Sequence, residues 1–216
     1  MRKFIKYLFI VILFLAISVI AILYFVPKSH VKDGIYYSLT GRFQVPVPVS
    51  SSMGGKTTER TGSVSFIDDL CALYRIDYKV LPKPDMQIFK KMGREKYLSS
   101  LIENSYLKTF LRKSIPEAKI DFKEYSGSAS NGSLYAQIDT PKGSVCTVSR
   151  NGGPPMREDA KRGILTLLID YRVYVITTGL SKLPAPVGMS LEGLHTDQQQ
   201  KLKDNTLSFT QTITFR

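Results

Sequence analysis

The sequence predicts an α+β fold: an N-terminal transmembrane helix followed by one domain, in which an antiparallel β-sheet is flanked by a long amphipathic helix and a C-terminal helix. Three observations lead there. An apolar run opens the chain, β-rich segments cluster on either side of one long stretch with helical periodicity, and a capping signal starts a helix near the C-terminus. Strands gathered apart from helices indicate an antiparallel sheet in a layered α+β arrangement.

The first element is the anchor. Arg2, Lys3 and Lys6 precede an unbroken run of 20 apolar or weakly polar residues, Tyr7 to Val26, closed by Pro27 and Lys28. A bilayer core needs about 20 helical residues, so the run is long enough to span. A cleavable signal peptide shares the basic start, and Val19 and Ala21 resemble the small residues before a cleavage site. The apolar run, however, continues well past Ala21 and no small polar segment follows it. The anchor is therefore read as retained, with residues 1–27 as cytoplasmic stub and span. The cationic side chains before the run keep the N-terminus in the cytoplasm. The expected location is the inner (cytoplasmic) membrane, with the C-terminal domain periplasmic or extracellular.

Residues 28–40 read as a polar tether, and 41–216 as the extracytoplasmic domain. "RFQVPVPV" alternates with period two but carries Pro46 and Pro48, as an edge strand can. Next comes "SSSMGGKTTERTG", read as a flexible loop. Its Gly55-Lys56-Thr57 resembles the end of a phosphate-binding loop, but Ser50 stands where the first glycine belongs, and turn and strand follow instead of a helix. "SVSFID" and "ALYRIDYKVL" then read as a hairpin with Asp68 and Asp69 at its turn.

From Met86 to Ile115 apolar residues recur at helical spacing, Leu98, Leu101 and Ile102, then Leu107, Phe110 and Leu111, and Gly93 interrupts them. The helix ends before Pro116. "KIDFKEYSG" and "SLYAQIDTP" form a second hairpin around "SGSASNGS", and "SVCTVSR" continues the strands. "RGILTLLI" and "VYVITTG" pair around "DYR", a turn of about three residues. Thr196 with Gln199 makes a capping box that starts the last helix, and "TQTITFR" ends it or adds a short strand.

The order of these elements, the "FQVPVP" opening strand, "ALYRIDYKVL" before the long helix, and "GILTLLIDYRVYVITTG" before a helix ending "FTQTITFR" together resemble the PsbP-like fold, an α/β/α sandwich. The resemblance covers about residues 35 to 216. It implies a non-enzymatic adaptor or accessory role and carries over no functional residues.

The composition limits the chemistry. The two histidines, His30 and His195, lack ligand spacing, so no metal site is expected and no cofactor is implied. His195 with Asp197 and a serine forms only the trio that any chain this rich in serine offers. Cys71 and Cys146 are a candidate disulfide if the domain lies in an oxidising compartment; two separate buried thiols are the alternative. Without the three cations before the anchor the domain still carries 27 cationic against 18 acidic residues. Lys56, Lys90, Lys91, Arg94, Lys96, Lys108, Arg112 and Lys113 are the candidate basic contact surface. Nucleic acid is not expected outside the cytoplasm; a protein partner in the envelope, or an anionic lipid or polymer, fits better. The function expected is therefore a single-pass, membrane-anchored, non-enzymatic adaptor or accessory subunit of an envelope complex. An envelope hydrolase with an unrecognised active site and an anionic lipid- or polymer-binding module are the alternatives.

Overall fold

Ten residues of "AKRGILTLLI" and ten of "RVYVITTGLS" form the longest hairpin of the computed structural model, which describes residues 29–128, 130–149, 153–181 and 191–216. The proposed anchor lies outside the described residues. Among the described residues no helix is long and apolar enough to cross a membrane.

In chain order the strands before the long helix are β1 (His30–Lys32), β2 (Ile35–Ser38), β3 (Phe43–Pro46), β4 (Lys56–Arg60), β5 (Ser63–Ile67) and β6 (Leu73–Val80). Helix α1 (Lys83–Met92) and helix α2 (Arg94–Ser100) follow. Helix α2 runs on as a π-helical stretch, Leu101–Phe110, and ends in a 3-10 turn, Leu111–Lys113. Then come β7 (Lys119–Ser126), β8 (Ser133–Thr140), β9 (Thr147–Val148), β10 (Met156–Arg157), β11 (Ala160–Ile169) and β12 (Arg172–Ser181), and after them α3 (Leu191–Gln211) and β13 (Thr214–Phe215).

Seven strands form one antiparallel sheet in the order β4-β5-β6-β12-β11-β8-β7. At its centre β11 and β12 pair from Ala160 opposite Ser181 to Ile169 opposite Arg172. The turn between them has only two residues, not three. Asp170 and Tyr171 both hold positive φ, 46° and 59°, and this conformation matches the twist of the flanking strands.

Alternation along the central strands separates two cores. On one face Leu134, Ala136, Ile138, Ile164 and Val173 pack against Leu98, Ile102, Leu107 and Leu111 of the long helix. On the other, Val64, Phe66, Ile76, Leu165, Tyr174 and Ile176 meet Phe209 of α3, Ile213 just beyond it, and Tyr36, Phe43 and Val45 of a second sheet. A Cβ on Gly163 would lie 2.2 Å from Thr206 Oγ1, so α3 lies close against β11 only because that residue has no side chain. The helices therefore cover opposite faces, giving the α/β/α layering that the resemblance implies.

Several expectations change. The stretch read as a tether contains β1 and β2, because Tyr36 is large and apolar enough to enter the core, where it is 2% exposed. "FQVP" lies inside a small sheet, β1-β2-β3-β13, rather than at an edge of the main one. Proline is tolerated there because Val47 N–H, the next residue on, bonds to Gly34 O across β2; Pro46 therefore faces the other side, where β13 reaches only Gln44 and Phe43. The "flexible" loop is fixed: Met53 and Gly55 N–H bond to Ser50 O, Asp69 N–H bonds to Met53 O, and Lys56–Arg60 is strand β4. Gly93 does break the helix, at φ 79° and ψ 163°. The last helix begins at Leu191, ahead of the expected capping box, and the C-terminus does add a strand.

Candidate functional site

The long helix covers β7, β8, β11 and β12 and stops beside β6, leaving part of that sheet face open. Cross-strand register defines what lies there. Lys56 stands opposite Ile67, Thr58 opposite Ser65, and Arg60 opposite Ser63; in turn Ser65 stands opposite Arg75 and Ser63 opposite Asp77. Lys79 follows on the same side of β6 by alternation. The open part is therefore floored by small hydroxyl residues and carries four cations.

Arg75 is held in place. Its Nε lies 3.0 Å and 2.8 Å from the two carboxylate oxygens of Asp77, and Nη2 lies 2.5 Å from Oδ1. Its guanidinium stacks 4.8 Å from the ring centre of Phe110, at the end of the π-helical stretch. Burial disfavours the Arg75 charge, yet the hydrogen bond and charge of Asp77, with a smaller contribution from Tyr106, together outweigh it and raise its pKa, so the group stays protonated. Lys79 reaches Asp85 at 3.8 Å while its own side chain is 73% exposed, a contact of little energetic weight. Lys56 and Arg60 have no ion pair among the described residues. At one end the face opens into a cleft between the β4–β5 turn and the end of β6, with Arg60, Gly62, Tyr78 and Lys79 in its walls.

The residues singled out from the sequence fall into separate places. Lys56 is on this face. Lys90, Lys91 and Lys96 are exposed around the Gly93 break, and Lys108, Arg112 and Lys113 lie toward the far end of the long helix, beyond that break. Two of the eight are structural. Arg94 donates to Gly132 O (2.7 Å), Leu168 O (2.5 Å) and Ser130 O, tying α2 to the β7–β8 loop and β11. Arg112 donates to Ala118 O at 2.9 Å and closes the helix end. Lys108 bonds Asn104 at 3.1 Å on its own helix. The eight residues therefore do not form one surface. Arg60, Arg75 and Lys79 escaped notice because isolated charges in strand segments read as an ordinary solvated face. The period-two spacing of Lys56, Thr58 and Arg60 would have exposed the pattern once β4 was recognised as a strand.

A second polar cluster lies under α3. Lys161, only 7% exposed, is 3.0 Å from Asp121 Oδ2 and 3.3 Å from Asp139 Oδ1, and Gln199 Nε2 donates to Asp121 at 2.9 Å. Burial works against the Lys161 charge, but the Asp121 hydrogen bond and the Asp139 charge outweigh it and raise its pKa; the hydrogen bond from Lys161 holds the Asp121 carboxyl below its ordinary value. Next to it Gln137 Nε2 donates to Tyr135 Oη (3.0 Å) and to Gln199 O (2.7 Å). Burial pushes the Tyr135 hydroxyl up to about 12. Through Gln199 these contacts fasten the middle of α3 to β7, β8 and β11. The side chain of His195 lies outside the described residues.

Cys71 and Cys146 are joined, with Cα atoms 5.5 Å apart, and link the β5–β6 connection to the loop after β8. Asp68 shapes the first of these loops, its Oδ1 accepting from Leu70 and Ala72 N–H at 3.0 Å each. Cys71 itself takes φ 67°. Asp68 thus acts as a turn residue, as its position in the hairpin predicts.

No protein-family model and no curated protein matches the chain. Solved structures do. The solution structure of the cyanobacterial PsbP protein, CyanoP, from Synechocystis sp. PCC 6803 superposes with a TM-score of 0.50 at 8% identity, covering 89% of this chain and 99% of that one. The Saccharomyces cerevisiae Ran-binding protein Mog1p gives a TM-score of 0.48 at 7% identity over 86% of this chain and 96% of that one. The likeness to the PsbP structure is one of fold: this chain has a PsbP-like architecture.

Proposed function

We propose that this chain is a single-pass, membrane-anchored adaptor or accessory subunit of an envelope complex, non-enzymatic, whose extracytoplasmic domain holds an acidic protein partner on the open face of β4, β5 and β6. The observation that carries the reading is the charge on that face: Lys56, Arg60, Arg75 and Lys79 share it with a single strand carboxylate, Asp77. Such a surface attracts acidic segments and favours their encounter at low salt. The apolar run from Tyr7 to Val26 supports the anchor, and the joined cysteines fit an oxidising compartment outside the cytoplasm.

The test is capture of partners from solubilised membranes by the full chain and by Lys56→Glu/Arg60→Glu. The adaptor reading expects a salt-sensitive partner that the double variant loses and that Lys90→Glu/Lys91→Glu retains. Equal capture by all three would sink it.

One observation favours a second reading, binding of anionic lipid. Helix α1 buries no residue and exposes Ile88 (47%) and Met92 (39%) beside Lys90 and Lys91, the composition of a helix that lies on a headgroup surface. Flotation with phosphatidylglycerol vesicles, lost in Lys90→Glu/Lys91→Glu and kept in Lys56→Glu/Arg60→Glu, would support it.

A further inference from the structure

Strand β4 is an edge of the seven-stranded sheet, and its outer side has no strand partner among the described residues. The opposite edge, β7, is protected in the usual way, by an irregularity between Ile120 and Phe122 that breaks its register. Strand β4 has no such device. It keeps regular register with β5 across all five residues, contains no proline, and every one of its side chains is exposed. Its charged side chains still discourage pairing with strands that carry no matching charge.

The orientation of its backbone follows from one hydrogen bond. Tyr78 N–H bonds to Gly62 O at 2.8 Å, so Gly62 and, by alternation, Val64 and Phe66 turn toward β6. Ser63, Ser65 and Ile67 then turn toward β4 and bond to Arg60, Thr58 and Lys56. Thr57 and Glu59 are left with N–H and C=O groups pointing outward, ready to bond an added strand. The side chains of Lys56, Thr58 and Arg60 project on the open cationic face.

Resting on the adaptor reading, we infer that the partner binds by strand addition: an extended acidic segment lies along β4 as an eighth strand, its main chain bonded to Thr57 and Glu59. Its alternate carboxylates lie over Lys56 and Arg60, the β4 cations on the open face. The main-chain bonds hold any extended segment, and the cations select an acidic one.

The probe is a short acetylated, amidated peptide of alternating glutamate and valine, titrated into the full chain in zwitterionic micelles. Its control has the same sequence with alternate amides N-methylated, so charge is kept and strand pairing is blocked. Strand addition expects amide exchange at Thr57 and Glu59 to slow, and the control to bind about tenfold more weakly or worse, since two or more main-chain hydrogen bonds are lost. Glu59→Pro removes an N–H that the ladder with β5 does not use; it should abolish peptide binding and leave circular dichroism unchanged. If both peptides bind equally and perturb Lys56, Arg60 and Arg75 without protecting Thr57 or Glu59, strand addition is overturned and the cationic-face reading stands. If neither peptide binds, both readings fall.

Discussion

Lys161 is more deeply buried than any cation on the open face. It sits almost wholly out of solvent between Asp121 and Asp139, whose side chains are 31% and 26% exposed. Removing one member of a fully buried ion pair costs about 3–5 kcal/mol; with the carboxylates partly solvated, Lys161→Met should destabilise by about 2–3 kcal/mol in urea titrations near neutral pH. The pH dependence follows from the two shifts. The Asp121 contribution, from a lowered pKa, is present above the unfolded aspartate value of about 4 and disappears as pH falls through the folded value. The Lys161 contribution, from a raised pKa, is present below the unfolded lysine value of about 10.4 and disappears as pH rises through the folded one. The stability gap between wild type and variant should therefore be flat from about pH 5 to 9 and shrink on acidification below about pH 4.

At the scale of elements, two glycines set how the helices meet the sheet. Gly93 has empty space where a Cβ would go, yet its φ and ψ lie in a region essentially closed to other residues, so Gly93→Ala should cost about 1–3 kcal/mol through backbone strain alone. Gly163 is the reverse case, limited by contact. Gly163→Ala should cost about 1–3 kcal/mol by forcing α3 off β11, and Thr206→Ala in the same chain should restore part of the loss by removing the oxygen it strikes. Thermal unfolding of the two single variants and the double variant measures that coupling. Legibility in the sequence also divides by element. Strands β11 and β12 could be read because they bury one or both faces in continuous apolar runs. Strand β4 could not, since pattern reading depends on a buried face and "KTTER" has none. The site was lost for the same reason, with Lys56 recognised as basic but its neighbours Arg60 and Arg75 assigned to no common surface. The long helix was legible down to its break, whereas Arg94, which fastens it to the sheet, binds backbone carbonyls 38 and 74 residues away, which no local pattern reveals.

For the molecule as a whole, the disulfide is the longest-range covalent constraint, closing 75 residues that include the entire long helix and β6 to β8. In the chain-entropy model a loop of that size contributes about 4 kcal/mol. The Cys71→Ser/Cys146→Ser variant should accordingly lose about 2–4 kcal/mol, the same amount that reductant removes from wild type. A reductant effect persisting in the double variant would contradict the assignment.

The small sheet imposes an order in time. Strand β3 pairs on one side with β2, a few residues earlier, and on the other with β13, where Gln44 meets Thr214. Tyr174, 1% exposed, has Phe215 against it at 4.7 Å between ring centres, and Arg216 N–H bonds back to Arg42 O. A chain emerging N-terminus first can complete the face of the sheet covered by the long helix before residues 209–216 become available. The aromatic face around Tyr36, Phe43 and Tyr174 stays unsealed until residues 209–216 arrive. Biogenesis therefore passes through a stage with a nearly complete sheet and one sticky side, the stage at which a holding chaperone would matter most.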